Sequence, residues 1–553
     1  MKKNIYLLSL AAALLFVQGC GQRDASSVSP AISRDAEIEA KVEKVLKGMD
    51  LTGKVGQMIQ LTSSTVTVQG KPEIDPEKLQ KVIGELKVGS ILNTFADVAQ
   101  PRELTAQLVS EIQKKSMEEI GIPCIYGLDM IHGASYLTDG TFFPQEINLA
   151  ATFNREYARA MGEAMAYETR AAMVPWVFSP VMDLGRNPVW PRQWESYGED
   201  PYLNAEMAVA ETKALQGEDP NHIDDKHVAV SVKHFMAYGV PVSGKDRTSA
   251  VVAENDLREK FFRPFKDCLE AGALTLMVNS ASINGIPTHA NKELLTGWVK
   301  DGLDWDGLIV TDWADINNLY ERDHVAKDRK EALAMGINAG IDMIMEPNDP
   351  DCCLELKEVV ESGLIPMSRI DDAVRRILRL KFRLGLFDNP TWDVSGYDKF
   401  GSKEFQDASY AAAVESEVLL KNEGNILPLE YGRRILVTGP NANSMRALNG
   451  GWSYTWQGDA DRFAGDFNTI YEALAQKFGE KNVIFEPGVV YDETDRWATG
   501  AWQKEYAPQI AKAVAAASKV DVIVACVGEN SYCETPGNID DLNLSANQKE
   551  LVK

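Results

Sequence analysis

WDGLIVTDWADI, residues 305–316, is the stretch on which the reading of the whole chain turns. Leu308 to Val310 form a short apolar run, with the turn-formers Asp306 and Gly307 before it and a carboxylate, Asp312, after it. That pattern predicts a buried strand that delivers an acid as it emerges. A strand covered on both faces cannot carry an unpaired charge along its length, so Asp312 belongs at the strand end, on the rim of a cleft. Taken alone, the window also suits a helix opening at ADINNLYERD, with Asp312 as its cap.

The same form recurs on either side. VGSILNTF (88–95), IPCIYGLDMIHG (122–133), WVFSPVMDLGRN (176–187), VAVSVKHFMAYG (228–239), LTLMVNSAS (274–282) and GIDMIMEP (340–347) are apolar runs, several of them ending in a polar residue. Helical patterns such as REYARAMGEAMAYETRAA and DDAVRRILRLKFRLGLF fall between and after them. Strand–helix alternation over residues 35–388 predicts a parallel sheet closed as a (β/α)8 barrel. Strand ends of such barrels converge on one mouth, and Asp129, Asp183, Lys233, His234 and Asp312 are all so placed. Each has an ordinary structural role open to it, but five together imply a polar pocket.

Past Phe387 the composition changes. Residues 389–425 read as a turn-rich linker followed by a helix. Over 426–553, RILVTGPNA (434–442), NVIFEPG (482–488) and VDVIVACVGEN (520–530) alternate with TIYEALAQKFG and IAKAVAAASKV. This predicts a second α/β domain, a sandwich with a mostly parallel sheet. No GxGxxG follows the first of these strands, so a dinucleotide fold is disfavoured.

At the N-terminus, Lys2 and Lys3 precede an apolar run from Ile5 to Val17, then Val17-Gln18-Gly19-Cys20. The run is short for a bilayer span and reads as an export signal over 1–20 ending in a lipobox. Cys20 would then be acylated and anchor an extracytoplasmic protein to a membrane, with residues 21–34 as a tether. A net charge of −24 repels nucleic acids and acidic polymers and suits a neutral ligand. Six further cysteines show no CxxC spacing; Cys526 and Cys533 are the closest candidate pair for a disulfide. The six histidines form no HxxxH or HExxH, so neither a catalytic metal nor a cofactor is expected.

GLDMIHG, GRNPVWPRQWESYGEDP (185–201), VKHFMAYG and IVTDWADI, in this order, resemble glycoside hydrolase family 3, the β-glucosidases and β-glucan exohydrolases. The resemblance implies that Asp312 is the nucleophile and that Asp129, Arg192, Lys233 and His234 grip the hydroxyls of the sugar. Carboxylate acceptors beside cationic donors suit hydroxyls, which both donate and accept. Lys233 and Arg192 are expected to favour ionised Asp312. Trp313, beside the nucleophile, is placed to stack on a pyranose face. Tyr238 stands where some family members carry a second histidine, so a His-Asp acid is disfavoured.

The second domain carries the resemblance further. GGWSYTWQGD (450–459) matches a loop that brings a tryptophan across the mouth; Trp456 would face Trp313, while Trp452 has a ready alternative as filler of its own loop. In VGENSYCETPGNIDDLNLS (527–545), Glu534 matches the acid/base and Glu529 is the alternative. An acid there is expected to be kept protonated by burial or by the charge of Asp312. Asn318 stands where plant exohydrolases carry an arginine near the nucleophile, and Ser280 stands near a position that often holds tyrosine. Family members run on beyond Lys553, which predicts an incomplete second domain. The implied activity is a retaining exo-β-glucosidase acting on β-linked oligosaccharides. β-Xylosidase or another exo-β-glycosidase is the alternative, and a non-catalytic glycan-binding fragment the alternative of another class.

Overall fold

A computed structural model describes residues 29–494 and 500–553; the leader with Cys20, and most of the expected tether, lie outside the described residues. Eight short parallel strands form the first domain: β1 (Ile59–Thr62), β2 (Ser90–Leu92), β3 (Ile125–Leu128), β4 (Trp176–Val177), β5 (Ala229–Phe235), β6 (Thr275–Val278), β7 (Leu308–Val310) and β8 (Ile344–Met345). Each pairs with the next from β1 to β7, and β8 pairs back onto β1 in the register Ile59–Ile344. A single parallel bridge from Val310 to Met343 joins β7 to β8 and completes the ring. The strands are buried because the crossover helices cover the outer face of the ring. Helix Met367–Arg383, for example, turns Ile370, Ala373, Val374, Ile377 and Leu378 inward at three- and four-residue spacing.

The segment entering this barrel is fixed before residue 35. Ile32 is buried, Ala31 N donates to Leu303 O at 3.0 Å, and Arg34 pairs with Asp304 at 2.5 Å. Residues 31–34, read from sequence as the end of a tether, therefore lie against the barrel. After the last barrel helix the chain is likewise pinned: the Trp392 indole donates to Arg170 O at 3.0 Å, with the Arg170 guanidinium 4.4 Å above its ring. Helix Lys403–Ser416, capped by Ser402, then leads toward the second domain.

That domain holds a parallel sheet of β9 (Ile435–Thr438), β10 (Val483–Phe485) and β11 (Val522–Ala525), in the order β10-β9-β11. Helix Ile470–Phe478, opened by a capping box of Thr469 and Glu472, packs Phe478 and Ala475 on Ile435, Val437 and Val483. The candidate disulfide is not formed: Cys526, just past β11, and Cys533 are both free thiols, as are the other four described cysteines. Among the described residues no helix is long and apolar enough to cross a membrane.

Candidate active site

Asp312 stands at the end of β7, and the helix after it is not capped by it. The cap of helix Asp315–Glu321 is Ala314, whose φ of 54° turns the chain sharply between strand and helix. Asp312 Oδ1 accepts from Trp313 N at 2.6 Å, and Oδ2 is buried with no partner. An unpaired buried carboxylate oxygen is costly and calls for an occupant. Burial pushes the Asp312 carboxyl above its ordinary range, helped by Asp315 and Glu534; Arg247 opposes most strongly and Arg192 less. Lys233, expected to help ionise Asp312, is engaged elsewhere.

Its ammonium donates to Asp129 Oδ1 at 2.6 Å and lies 5.3 Å from the centre of the Trp452 ring. Arg192 is fully buried and held by both oxygens of Glu195, at 2.5 and 3.0 Å. Its Nη2 also lies 3.1 Å from His234 Nε2. Arginine only donates, so that nitrogen accepts, and the proton sits on Nδ1, 2.7 Å from Asp183 Oδ2. Burial, with Arg192 and Lys233 nearby, holds His234 neutral, far below the usual imidazolium range. Both ring nitrogens are thus occupied, and His234 acts on the pocket by steering Arg192.

The second domain completes the site. Glu534 Oε2 accepts from Arg247 Nη2 at 2.8 Å, and Arg192 Nη1 stands 3.8 Å from Oε1. Although burial disfavours the charge, these two guanidinium groups outweigh it and hold the carboxyl at about 2. The expectation of a protonated resting acid is therefore reversed: charge neutralisation across the domain boundary wins over desolvation. Glu529 points elsewhere, accepting from Tyr532 OH at 2.8 Å, and lies outside the cavity that Glu534 lines.

One cavity of about 660 Å³ gathers Asp129, Arg192, Lys233, His234, Asp312, Trp313, Trp456 and Glu534, every residue singled out for sugar chemistry. Trp452, given a local structural alternative, also lines it: its indole reaches across to Glu195 Oε2 at 2.8 Å, so it caps the Arg192 clamp. Sequence reasoning missed Arg247, Tyr136 and Glu195. Arg247 falls in the turn-rich run SGKDRTS, which carries no periodicity to assign it a direction. Among the described residues no His, Cys, Asp and Glu group is arranged to hold a metal ion.

The model of the glycosyl hydrolase family 3 N-terminal domain matches residues 50–380, and that of its C-terminal domain matches residues 417–553. The chain belongs to glycoside hydrolase family 3. Among family 3 relatives, a lysosomal β-glucosidase of Dictyostelium discoideum is 36% identical over 537 residues, covering 93% of this chain and 64% of that protein. A β-xylosidase of Formosa agariphila is 32% identical over 452 residues, covering 79% of this chain and 61% of that protein. The chain thus spans less than two thirds of the length of these relatives. The structure of an exo-1,3/1,4-β-glucanase point variant from a Pseudoalteromonas species superposes with a TM-score of 0.81 at 28% identity, over 95% of this chain and 80% of that one.

Proposed function

We propose that this family 3 protein is a retaining, exo-acting β-glucosidase that releases terminal non-reducing β-D-glucosyl residues from oligosaccharides by double displacement. The observation that carries the reading is the pairing, in one cavity, of an unpartnered Asp312 Oδ2 with Glu534 supplied from the other domain. Asp312 Oδ2 attacks the anomeric carbon as the glycosidic oxygen leaves with a proton from Glu534, giving a glycosyl-ester on Asp312. Glu534, now ionised, takes a proton from water, which attacks the same carbon and frees Asp312. Resting Glu534 is ionised, so it acquires its proton as sugar enters: excluded water and the ionised nucleophile both raise its affinity for one.

The volume lies within the range of roughly 300–1,000 Å³ usual for small-ligand sites and suits one or two sugar units rather than a long chain. Trp313 and Trp456 at the mouth favour removal of single terminal units over cleavage in mid-chain. Xylose differs from glucose only by the C6 hydroxymethyl group, and the β-xylosidase relative keeps a xyloside as the second substrate to try. The leader over 1–20 with Cys20 supports an extracytoplasmic, lipid-anchored protein.

Incubation with a 2-deoxy-2-fluoro-β-glucoside bearing a good leaving group, followed by peptide mass spectrometry, tests the chemistry. The expected result is one sugar on the peptide containing Asp312. A folded sample that stays unlabelled by both the glucoside and its xylose counterpart would leave the glycan-binding reading in place of the catalytic one.

A further inference from the structure

The loop after β5 carries three consecutive charged residues, Lys245, Asp246 and Arg247, and each grips the second-domain segment that begins at Glu534. Arg247 Nη2 donates to Glu534 Oε2 at 2.8 Å. Asp246 Oδ2 accepts from Thr535 Oγ1 at 3.2 Å, and Asp246 N donates to Asn538 Oδ1 at 2.8 Å. Lys245 Nζ donates to Ile539 O and pairs with Asp540 at 2.5 Å. One segment counts down as the other counts up, so the two are laced side by side across the domain boundary.

We propose that Lys245-Asp246-Arg247 is a latch of positioning residues: Arg247 aims the carboxylate of Glu534 into the cavity, and its two neighbours fasten the loop behind it. The inference rests on the reading of Glu534 as the acid/base.

Three further observations carry it. Glu534 has φ 53° and ψ −144°, a backbone region that a residue with a side chain keeps only when its surroundings hold it there. It is held from both sides: Gln457 fastens the preceding Cys533 through its N and O, each at 3.1 Å, and the latch fastens Thr535 to Asp540 beyond it. Arg247 is itself seated, its Nη1 donating to Ser280 Oγ at 2.6 Å. Ser280 in turn donates to Asp315 Oδ1 at 2.7 Å, which also accepts from Asn318 at 2.6 Å. Ser280 and Asn318, the two departures from the family pattern, are thus the seat of Arg247. A smaller residue at 280 leaves room for the guanidinium, and the seat is shared with Arg322, whose Nη1 lies 2.9 Å from Ser280 O, 3.3 Å from Ser280 Oγ and 3.8 Å from Asp315 Oδ1.

The charges facing Glu534 agree with this arrangement. Arg247, Arg192 and Lys233 act together to hold it ionised, Arg247 most strongly. Four carboxyls oppose them, Asp129 and Glu195 from the floor, Asp246 from the latch and Asp312 across the cavity. Tyr136 and Cys533 also face it, and burial keeps both neutral.

The test compares Arg247→Gln, Arg247→Lys, Lys245→Met and Glu534→Gln in the full chain. Their kcat/KM is measured on a 2,4-dinitrophenyl β-glucoside, whose leaving group needs no proton, and on an alkyl β-glucoside, whose leaving group does. A positioned general acid is worth about 100-fold or more, so Glu534→Gln should lose that much on the alkyl substrate beyond any loss on the activated one. Arg247→Gln should split the substrates in the same sense, move the alkaline limb of the alkyl pH profile upward, and yield β-glucosyl azide when azide is added. Arg247→Lys should close part of that split. Lys245→Met, remote from the chemistry, should lower the alkyl rate about fivefold with the activated rate unchanged. Equal losses on both substrates in the Arg247 and Lys245 variants, with Glu534→Gln still splitting them, would overturn the latch. If Glu534→Gln does not split them, the acid/base reading falls first and the latch with it.

Discussion

Two carboxyls of one cavity are driven in opposite directions by their neighbours. Folding favours the ionised form of Glu534, whose pKa falls from 4.5 to about 2. Its contribution to stability is therefore present above pH 4.5 and lost as pH falls through about 2. Asp312 has the reverse sign: its pKa is raised, so the fold favours the protonated form and bears a cost once pH rises past the raised value. Asp312→Asn is accordingly expected to abolish turnover, by about 10⁴-fold or more, yet to raise the melting temperature by about 1–3 °C. Scanning calorimetry decides the second half; an unchanged or lower Tm would show that Oδ2 is not a burden. Glu195→Ala should move the melting temperature the other way. It strips a buried guanidinium of its bidentate partner, and such losses cost about 3–5 kcal/mol, with a fall in Tm and in kcat/KM together. At this scale the sequence showed Asp312 clearly, because a turn-bounded apolar run points at it. It could not show Arg247, whose partner Glu534 lies in another domain, nor Glu195, which sits three residues from the arginine it clamps and takes the Trp452 indole from the other domain.

Elements were legible where a period repeats and illegible where a loop is held by distant groups. Seven of the eight barrel strands stood out as apolar runs spaced by helices, and the three strands of the second sheet likewise; β1, whose IQLT mixes polar and apolar residues in four positions, did not. Residues 31–34 did not, since their polar composition hides one buried isoleucine and a backbone bond to Leu303. The loop 450–458 is the clearest case. Read alone, Trp452 has only its own loop to fill; folded, it reaches Glu195 of the barrel. The loop is compact because glycines let it turn on itself: Gly458 has φ 66°, and a Cβ there would come within 2.0 Å of Gly450 O. Gly458→Ala should therefore displace Trp456 from the mouth and destabilise the protein by more than about 1 kcal/mol. The measurement is KM against chain length. Loss of Trp456 stacking predicts about a tenfold rise for a disaccharide and little change for an aryl glucoside. A uniform rise would place Trp456 outside the leaving-group side of the cavity.

The whole molecule is built so that neither domain owns the cavity. The barrel supplies Asp312, Asp129, Lys233 and the Arg192 clamp, while Glu534, Trp452 and Trp456 come from the second domain. A ligand filling the cavity must then stabilise both at once. Glucose, an uncharged ligand, at about 100 times its Kd adds about 2.7 kcal/mol to the state that binds it. If the site is shared, that stabilisation appears as slower amide exchange in the second-domain segments 450–458 and 530–537 as well as in the barrel segments around Asp129 and Asp312. Slowing confined to the barrel would mean that the second domain lies over the cavity without gripping its contents, and that Glu534 reaches the sugar only during reaction. The ligand's neutrality matters to the design of this test. At a net charge of −24 the protein repels anions, and a charged mimic would report that long-range field along with the contacts inside the cavity.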